Sequence, residues 1–185
     1  MTQILIAYGT RYGSTREVAE TVAATLGEQG IDTEVMQARE ARSLDGYAAV
    51  VLGTPLYMGA LHKDVRALLE KNQAALERTP FALFALGPIK ADDGVEASRE
   101  QLFTALAKLP VPTPAATAVF VGAYDPSRLG FKDRMVAALP ASPLHGEAAH
   151  DERDWDAIRG WARDVAVRVT AATPAGLVAA DVTAL

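Results

Sequence analysis

The residues best suited to chemistry in this chain form a polar turn, Gly9-Thr10-Arg11-Tyr12-Gly13-Ser14-Thr15. It follows directly on the apolar run Ile4 to Tyr8 and leads into a segment of helical period. A turn in that order points several unpaired backbone N–H groups at one spot, where the helix dipole also favours an anion. Phosphate is the guest this chemistry suits. Thr10, Ser14 and Thr15 add hydroxyl donors, and Gly13 permits a backbone conformation or close approach that a Cβ would hinder. A second reading needs no ligand: Ser14 caps the helix and Glu17 completes a capping box. The turn lacks the terminal Gly-Lys-Ser/Thr of a nucleoside-triphosphate loop and the three-glycine spacing of a dinucleotide site, so those two ligands are disfavoured.

Two more segments and one histidine could share that site. Gly53-Thr54-Pro55-Leu56-Tyr57-Met58-Gly59-Ala60 is expected as a loop, with an aromatic for stacking and a glycine whose peptide can reorient. An ordinary half-buried aromatic is the alternative for Tyr57, and the loop's place at the site favours stacking. Leu86-Gly87-Pro88-Ile89-Lys90-Ala91-Asp92-Asp93-Gly94 follows another apolar run, with Asp92-Asp93 read as a loop and helix-start signal. His62 opens the next helical segment, either as a donor to a ligand or as a helix-start polar residue. His145 and His150 have no metal-ligand spacing, and no metal is assigned. The chain has no cysteine, which excludes disulfides, thiolate metal sites, iron–sulfur ligation and cysteine nucleophiles, so a redox role would need a borrowed cofactor.

The elements that must position these residues follow from hydrophobic period. Short apolar runs at Ile4 to Tyr8, Thr33 to Met36, Ala48 to Gly53, Phe81 to Leu86 and Thr117 to Gly122 read as five strands. Between them, Val18, Val22 and Leu26, then Leu61, Val65, Leu68 and Leu69, then Leu102, Phe103, Leu106 and Leu109 line helix faces. Trp155, Ile158, Ala162, Val165 and Val169 mark a last helix. This α/β alternation predicts a doubly wound parallel sheet of five strands, covered by helices on both faces. In such a sheet ligands sit beyond the carboxyl ends of the strands, where the winding reverses.

The 185 residues suit one domain over residues 1–172 with a tail over 173–185, small and apolar, that is loosely held or packed on a neighbour. Pro110-Val111-Pro112-Thr113-Pro114 reads as a connector that stops the third helix. The stretch from Ala123 to Asp151 has no clean period and is expected to lie as a loop over a site, with Leu129, Phe131, Met135, Val136 and Leu139 packing onto the domain or, as the alternative, forming an apolar patch on a lid. The net charge of −5 with scattered Lys and Arg gives no sign of a nucleic-acid surface, and no nucleic-acid partner is expected. The start Thr2-Gln3-Ile4-Leu5-Ile6 is not a signal peptide and no stretch suits a membrane span, so a cytoplasmic protein with at most peripheral membrane contact is expected.

The first turn resembles the phosphate loop of the flavodoxin family, Thr/Ser-x-Thr-Gly-x-Thr, at Thr10, Gly13 and Thr15, with Tyr12 where the family has threonine. Within that superfamily it is similar to the quinone-linked protoporphyrinogen dehydrogenases of bacteria, which carry Thr-Arg-x-Gly-x-Thr-Arg-Glu; Thr10, Arg11, Gly13, Thr15, Arg16 and Glu17 fit. Gly122-Ala123-Tyr124-Asp125-Pro126, Phe131-Lys132-Asp133-Arg134-Met135, Asp154-Trp155 and His62 also resemble those enzymes. The segment after Met135, rich in alanine and proline and poor in basic residues, departs from them where membrane or quinone contact is expected.

The resemblance implies a flavodoxin-like fold of strand order 2-1-3-4-5, and FMN as cofactor. Thr10, Arg11, Tyr12, Gly13, Ser14 and Thr15 would hold its phosphate. Pro55, Leu56, Tyr57, Met58 and Gly59 would flank the ring, with a backbone carbonyl following the flavin N5 protonation state. Leu86, Gly87, Pro88, Ile89 and Gly94 would face the ring edge, where N–H groups bond O2 and N3, and Tyr124 would join them. His62 is the one candidate catalytic residue. The implied function is an FMN-dependent oxidoreductase moving electrons from an organic donor, a porphyrinogen among the candidates, to a quinone or other acceptor. The alternative is a flavodoxin-type carrier between redox proteins, and a homodimer is compatible with either. A phospho-receiver is excluded, because Ala7-Tyr8-Gly9 and Leu52-Gly53-Thr54 stand where its acidic residues would be.

Overall fold

The computed structural model describes residues 3–90, 94–142 and 144–172; the tail over 173–185 and the pair Asp92-Asp93 lie outside the described residues. In chain order the strands are β1 (Gln3–Tyr8), β2 (Asp32–Gln37), β3 (Ala49–Tyr57), the two-residue β4 (Ala60–Leu61), β5 (Phe81–Leu86), β6 (Ala116–Phe120), β7 (Ala123–Tyr124) and β8 (His150–Asp151). The helices are α1 (Ser14–Glu28), α2 (Lys63–Lys71), α3 (Gln73–Leu76), α4 (Val95–Leu106), α5 (Phe131–Ala137) and α6 (Trp155–Ala172). The five long strands pair in parallel in the order β2-β1-β3-β5-β6, which is the expected 2-1-3-4-5 once the short β4 is set aside.

Successive side chains point to opposite faces of a strand, and here both sets are apolar because helices cover both faces. Leu5, Val50, Leu52 and Leu83 meet Leu68 and Leu69 of α2 and Leu102 of α4. Their neighbours Ile4, Ile6, Val51, Ala82 and Phe84 meet Val18 and Val22 of α1 and Ile158 and Val165 of α6. Full burial of one such Val, Leu, Ile or Phe stabilises by about 1.5–3 kcal/mol, so these layers rather than local propensity hold the sheet. Phe103, expected on the buried face of α4, is instead half exposed, while Leu102, Leu106 and Leu109 are buried. Asp154 caps α6, its Oδ1 accepting from the Ala157 N–H at 2.9 Å.

Two segments expected as loops have structure. The third strand does not stop at Gly53: Thr54 and Pro55 continue the ladder against Ala85 and Leu86, then Leu56 and Tyr57 fold back on Leu61 and Ala60. Gly-Thr-Pro reads locally as a turn, and pairing with β5 overrides that signal. The stretch from Ala123 to Asp151 carries the β7–β8 ribbon, a 3-10 turn at Pro126–Arg128 and α5. Tyr124, Leu129 and Ala137 form a small third cluster there, with Tyr12, Ile89 and Leu144 packed against it. Of the five apolar residues expected to pack onto the domain, Leu129 does; Phe131, Met135, Val136 and Leu139 face solvent. No helix among the described residues is long and apolar enough to cross a membrane.

Candidate functional site

The winding reverses between β1 and β3, and the phosphate-type turn emerges there. Its Gly9 N–H donates to the Gly53 carbonyl at 2.9 Å, anchoring the turn to β3. Thr10 Oγ1 accepts from the Gly13 N–H at 2.9 Å and so shapes the turn from within. Gly13 has φ +97°, a left-handed conformation that a side chain would strain, and it precedes α1 with no side-chain cap bond. The Ser14 capping box therefore does not form. Glu17 donates its N–H to the Gly13 carbonyl, so the amides of Ser14, Thr15 and Arg16 precede the first helical bond and point out of the N-terminus of α1. Thr15 Oγ1 lies within this turn, buried and without a hydrogen-bond partner.

His62 packs directly on the turn, so closely that a Cβ on Gly9 would stand 2.4 Å from Nδ1. The same Nδ1 accepts from the Asp64 N–H at 3.3 Å, and the His62 N–H donates to Thr54 Oγ1 at 2.9 Å. His62 is thus the N-cap of α2, the helix-start role, and it also forms a wall of the site.

The β3–β4 hairpin projects Tyr57 and Met58 beside the turn, with Met58 94% exposed. Met58 and Gly59 have φ +50° and +74°, the signs that a tight two-residue hairpin turn requires. A left-handed methionine is uncommon and holds backbone strain of about 1–3 kcal/mol. Arg11 joins hairpin and turn, its guanidinium 5.4 Å from the Tyr57 ring centroid and 5.5 Å from that of Tyr12.

In the loop after β5, the Gly87 N–H is engaged by the Phe120 carbonyl at 2.9 Å and Pro88 has none, so Ile89 carries the first amide that could serve a ligand. Gly94 begins α4 in a left-handed conformation. Pro55 and Leu56 are strand residues that carry the hairpin, and Leu86 is buried at the end of β5. Tyr124 is buried beside His150, in the wall of a cavity of about 350 Å³ also lined by Tyr12, Ser14, Arg128 and Arg153.

A family model described as a flavodoxin domain matches residues 5–150. The chain belongs to the flavodoxin family. A curated relative, the protoporphyrinogen IX dehydrogenase [quinone] of Escherichia coli K12, is 26% identical over 171 residues, which covers 88% of this chain and 93% of the relative. Among solved structures, a flavodoxin of Streptococcus pneumoniae TIGR4 superposes with a TM-score of 0.57 at 16% identity, over 90% of this chain and 99% of that one. A cysteine-to-alanine mutant of a flavodoxin from Pseudomonas aeruginosa gives 0.54 at 18% identity, over 91% and 99%. These structural likenesses bear on fold alone.

FMN is the cofactor of the flavodoxin family, and the residues present fit its phosphate. Thr15 offers a buried hydroxyl with no partner of its own, three amides at the start of α1 face the same space, and Gly13 supplies the backbone that lets them converge. An unpaired buried hydroxyl costs about 1–3 kcal/mol, which a ligand oxygen would offset.

Around this flavodoxin-type turn stand charged contacts that the sequence reading did not anticipate. Asp133 of α5 accepts from the Tyr12 hydroxyl and pairs with Arg11 at 2.6 Å, which docks α5 on the turn. Glu17 is held by Arg128 at 2.9 Å and Arg153 at 2.7 Å. Burial pushes the Glu17 carboxyl up, and those two guanidiniums outweigh it, so its pKa lies below the ordinary 4.5. Asp133 lay in a segment already matched by resemblance, and that was its only signal. Arg153 had none.

Proposed function

We propose that this protein is an FMN-dependent dehydrogenase that takes electrons from a bulky organic donor of the porphyrinogen class and passes them to a quinone. Bound FMN supplies the redox chemistry, accepting and releasing electrons at its ring. The protein's share is holding and tuning. Thr10 to Thr15 would grip the phosphate, Tyr57 would pack on the ring, and Ile89 would offer its amide to the ring edge.

The observation that carries this reading is the exposure of the aromatic beside the turn. Tyr57 is 58% exposed at the hairpin, and the sequence from Leu86 to Gly94 that follows β5 holds no aromatic residue to stack from the other side. A planar donor could therefore approach a ring held there. The relative from Escherichia coli, similar along nearly its whole length, supports the donor and acceptor classes.

A carrier acting between redox proteins is the second reading, favoured by the exposed Phe131, Met135 and Val136 of α5. Anaerobic stopped-flow spectroscopy with porphyrinogen, reduced nicotinamides and quinones decides between them. Rapid reduction by porphyrinogen and reoxidation by quinone is the expected result. Turnover with protein partners alone would overturn it in favour of the carrier.

A further inference from the structure

Arg153 stands just before α6, yet its side chain is only 6% exposed because it reaches back to the phosphate turn. Nη2 pairs with Glu17 Oε2 at 2.7 Å and with Asp151 Oδ2 at 2.5 Å, and Nε donates to Asp151 Oδ1 at 2.8 Å. Nη1 donates to the Ser14 carbonyl at 3.3 Å, and the guanidinium lies 4.4 Å from the Trp155 ring centroid. Arg128 takes the other Glu17 oxygen at 2.9 Å and Asp125 at 3.3 Å. Its Nη1 lies 3.5 Å from where a Gly13 Cβ would be.

Two consequences follow from planarity and charge. The Ser14 carbonyl and the Thr15 N–H belong to one rigid peptide and point in opposite directions, so a bond that fixes the carbonyl aims the amide. Glu17 sits in the first turn of α1, where its charge competes with a dianion for the same amides. Arg128 and Arg153, shared with Asp125 and Asp151, each pair one Glu17 oxygen and so screen that charge at short range.

We propose that Arg153 is a positioning residue for the cofactor phosphate. It aims the Thr15 amide through the Ser14–Thr15 peptide and, with Arg128, pairs Glu17 so that its charge is screened from the turn. This rests on the FMN reading above and adds a residue on α6's side of the molecule that acts through Ser14 and Glu17.

The test compares FMN with riboflavin, which lacks the phosphate, by quenching of flavin fluorescence on binding to apoprotein. Arg153→Gln is expected to weaken FMN about tenfold or more while riboflavin changes less than about twofold. Adding Glu17→Gln to that variant removes the uncompensated carboxylate and restores much of the FMN affinity, which a damaged fold would not allow. Arg153→Lys keeps the charge without the planar fork and serves if the glutamine variant fails to fold; it loses FMN affinity by about threefold, again selectively. Parallel losses of FMN and riboflavin in the variant that folds, unchanged FMN affinity, or no recovery with Glu17→Gln would each overturn the role of Arg153. Wild-type protein that does not prefer FMN over riboflavin would instead overturn the phosphate site itself.

Discussion

Thr15 Oγ1 is buried among groups that do not bond it, in a turn whose amides face the same space. Such a hydroxyl penalises the empty protein and favours the loaded one. Thr15→Val keeps the shape and deletes the hydroxyl, so the apoprotein's unfolding free energy in urea should be unchanged or higher by up to about 1 kcal/mol, while FMN affinity falls about tenfold. A destabilised apoprotein would mean that the hydroxyl is satisfied within the fold. His62→Ala provides the contrast: losing the cap of α2 costs about 1 kcal/mol of stability, with a smaller effect on FMN than Thr15→Val. The turn was legible as a structural unit because its amides, glycine and hydroxyls are neighbours in sequence. Ser14 was open to two readings, and the left-handed Gly13 preceding it excludes the capping box.

The β7–β8 ribbon and the loop after β5 are joined by His150. Its Nδ1 lies 3.0 Å from the Ala148 carbonyl and its Nε2 3.0 Å from the Ile89 carbonyl. A neutral imidazole has one N–H, so only the imidazolium satisfies both acceptors. The bond to Ala148 raises the His150 pKa above 6.5, burial opposes it, and Ile89, Glu147 and Glu152 add to the rise. Glu147 also pairs with Lys90 at 2.7 Å, tying the same two segments. A pKa raised on folding contributes stability that is full below the unfolded value of 6.5 and fades as pH rises through the folded value. His150 should therefore titrate above 6.5 by proton NMR. Amides of the ribbon, corrected for intrinsic rate, should lose protection over the same interval, and His150→Gln should abolish that dependence. Titration below 6.5 would show that the two carbonyls do not hold the cation. The sequence marked His150 only as one of two histidines in a loop, since both acceptors belong to backbone that tertiary structure brings there.

At the scale of the molecule, two large apolar clusters grip the sheet while a cluster of three buried residues anchors the segment over the site. Stability should be uneven in the same way. Amides of Ile6, Val51 and Leu83 are expected to exchange only through global unfolding, and those of α5 at least about a hundredfold faster through local opening. Equal protection would mean that α5 is part of the main core. The exposed Phe131, Met135, Val136 and Leu139 lie on this weakly anchored segment, against the expectation that they pack inward. The alternation of strand and helix and the polar turn after the first strand were legible in the chain, because period and turn chemistry are local properties of neighbouring residues, whereas the strand order followed from the family resemblance. The continuation of β3 through Pro55, the exposed face of α5 and the company of Glu17 were not. Tyr12 and Asp133 stand 121 residues apart and Arg153 and Ser14 139 apart, so their pairing depends on where the folded backbone delivers each side chain. Pattern decided the five long strands and the helices that cover them; packing among distant segments decided what the loops become and which charges pair around the turn after β1.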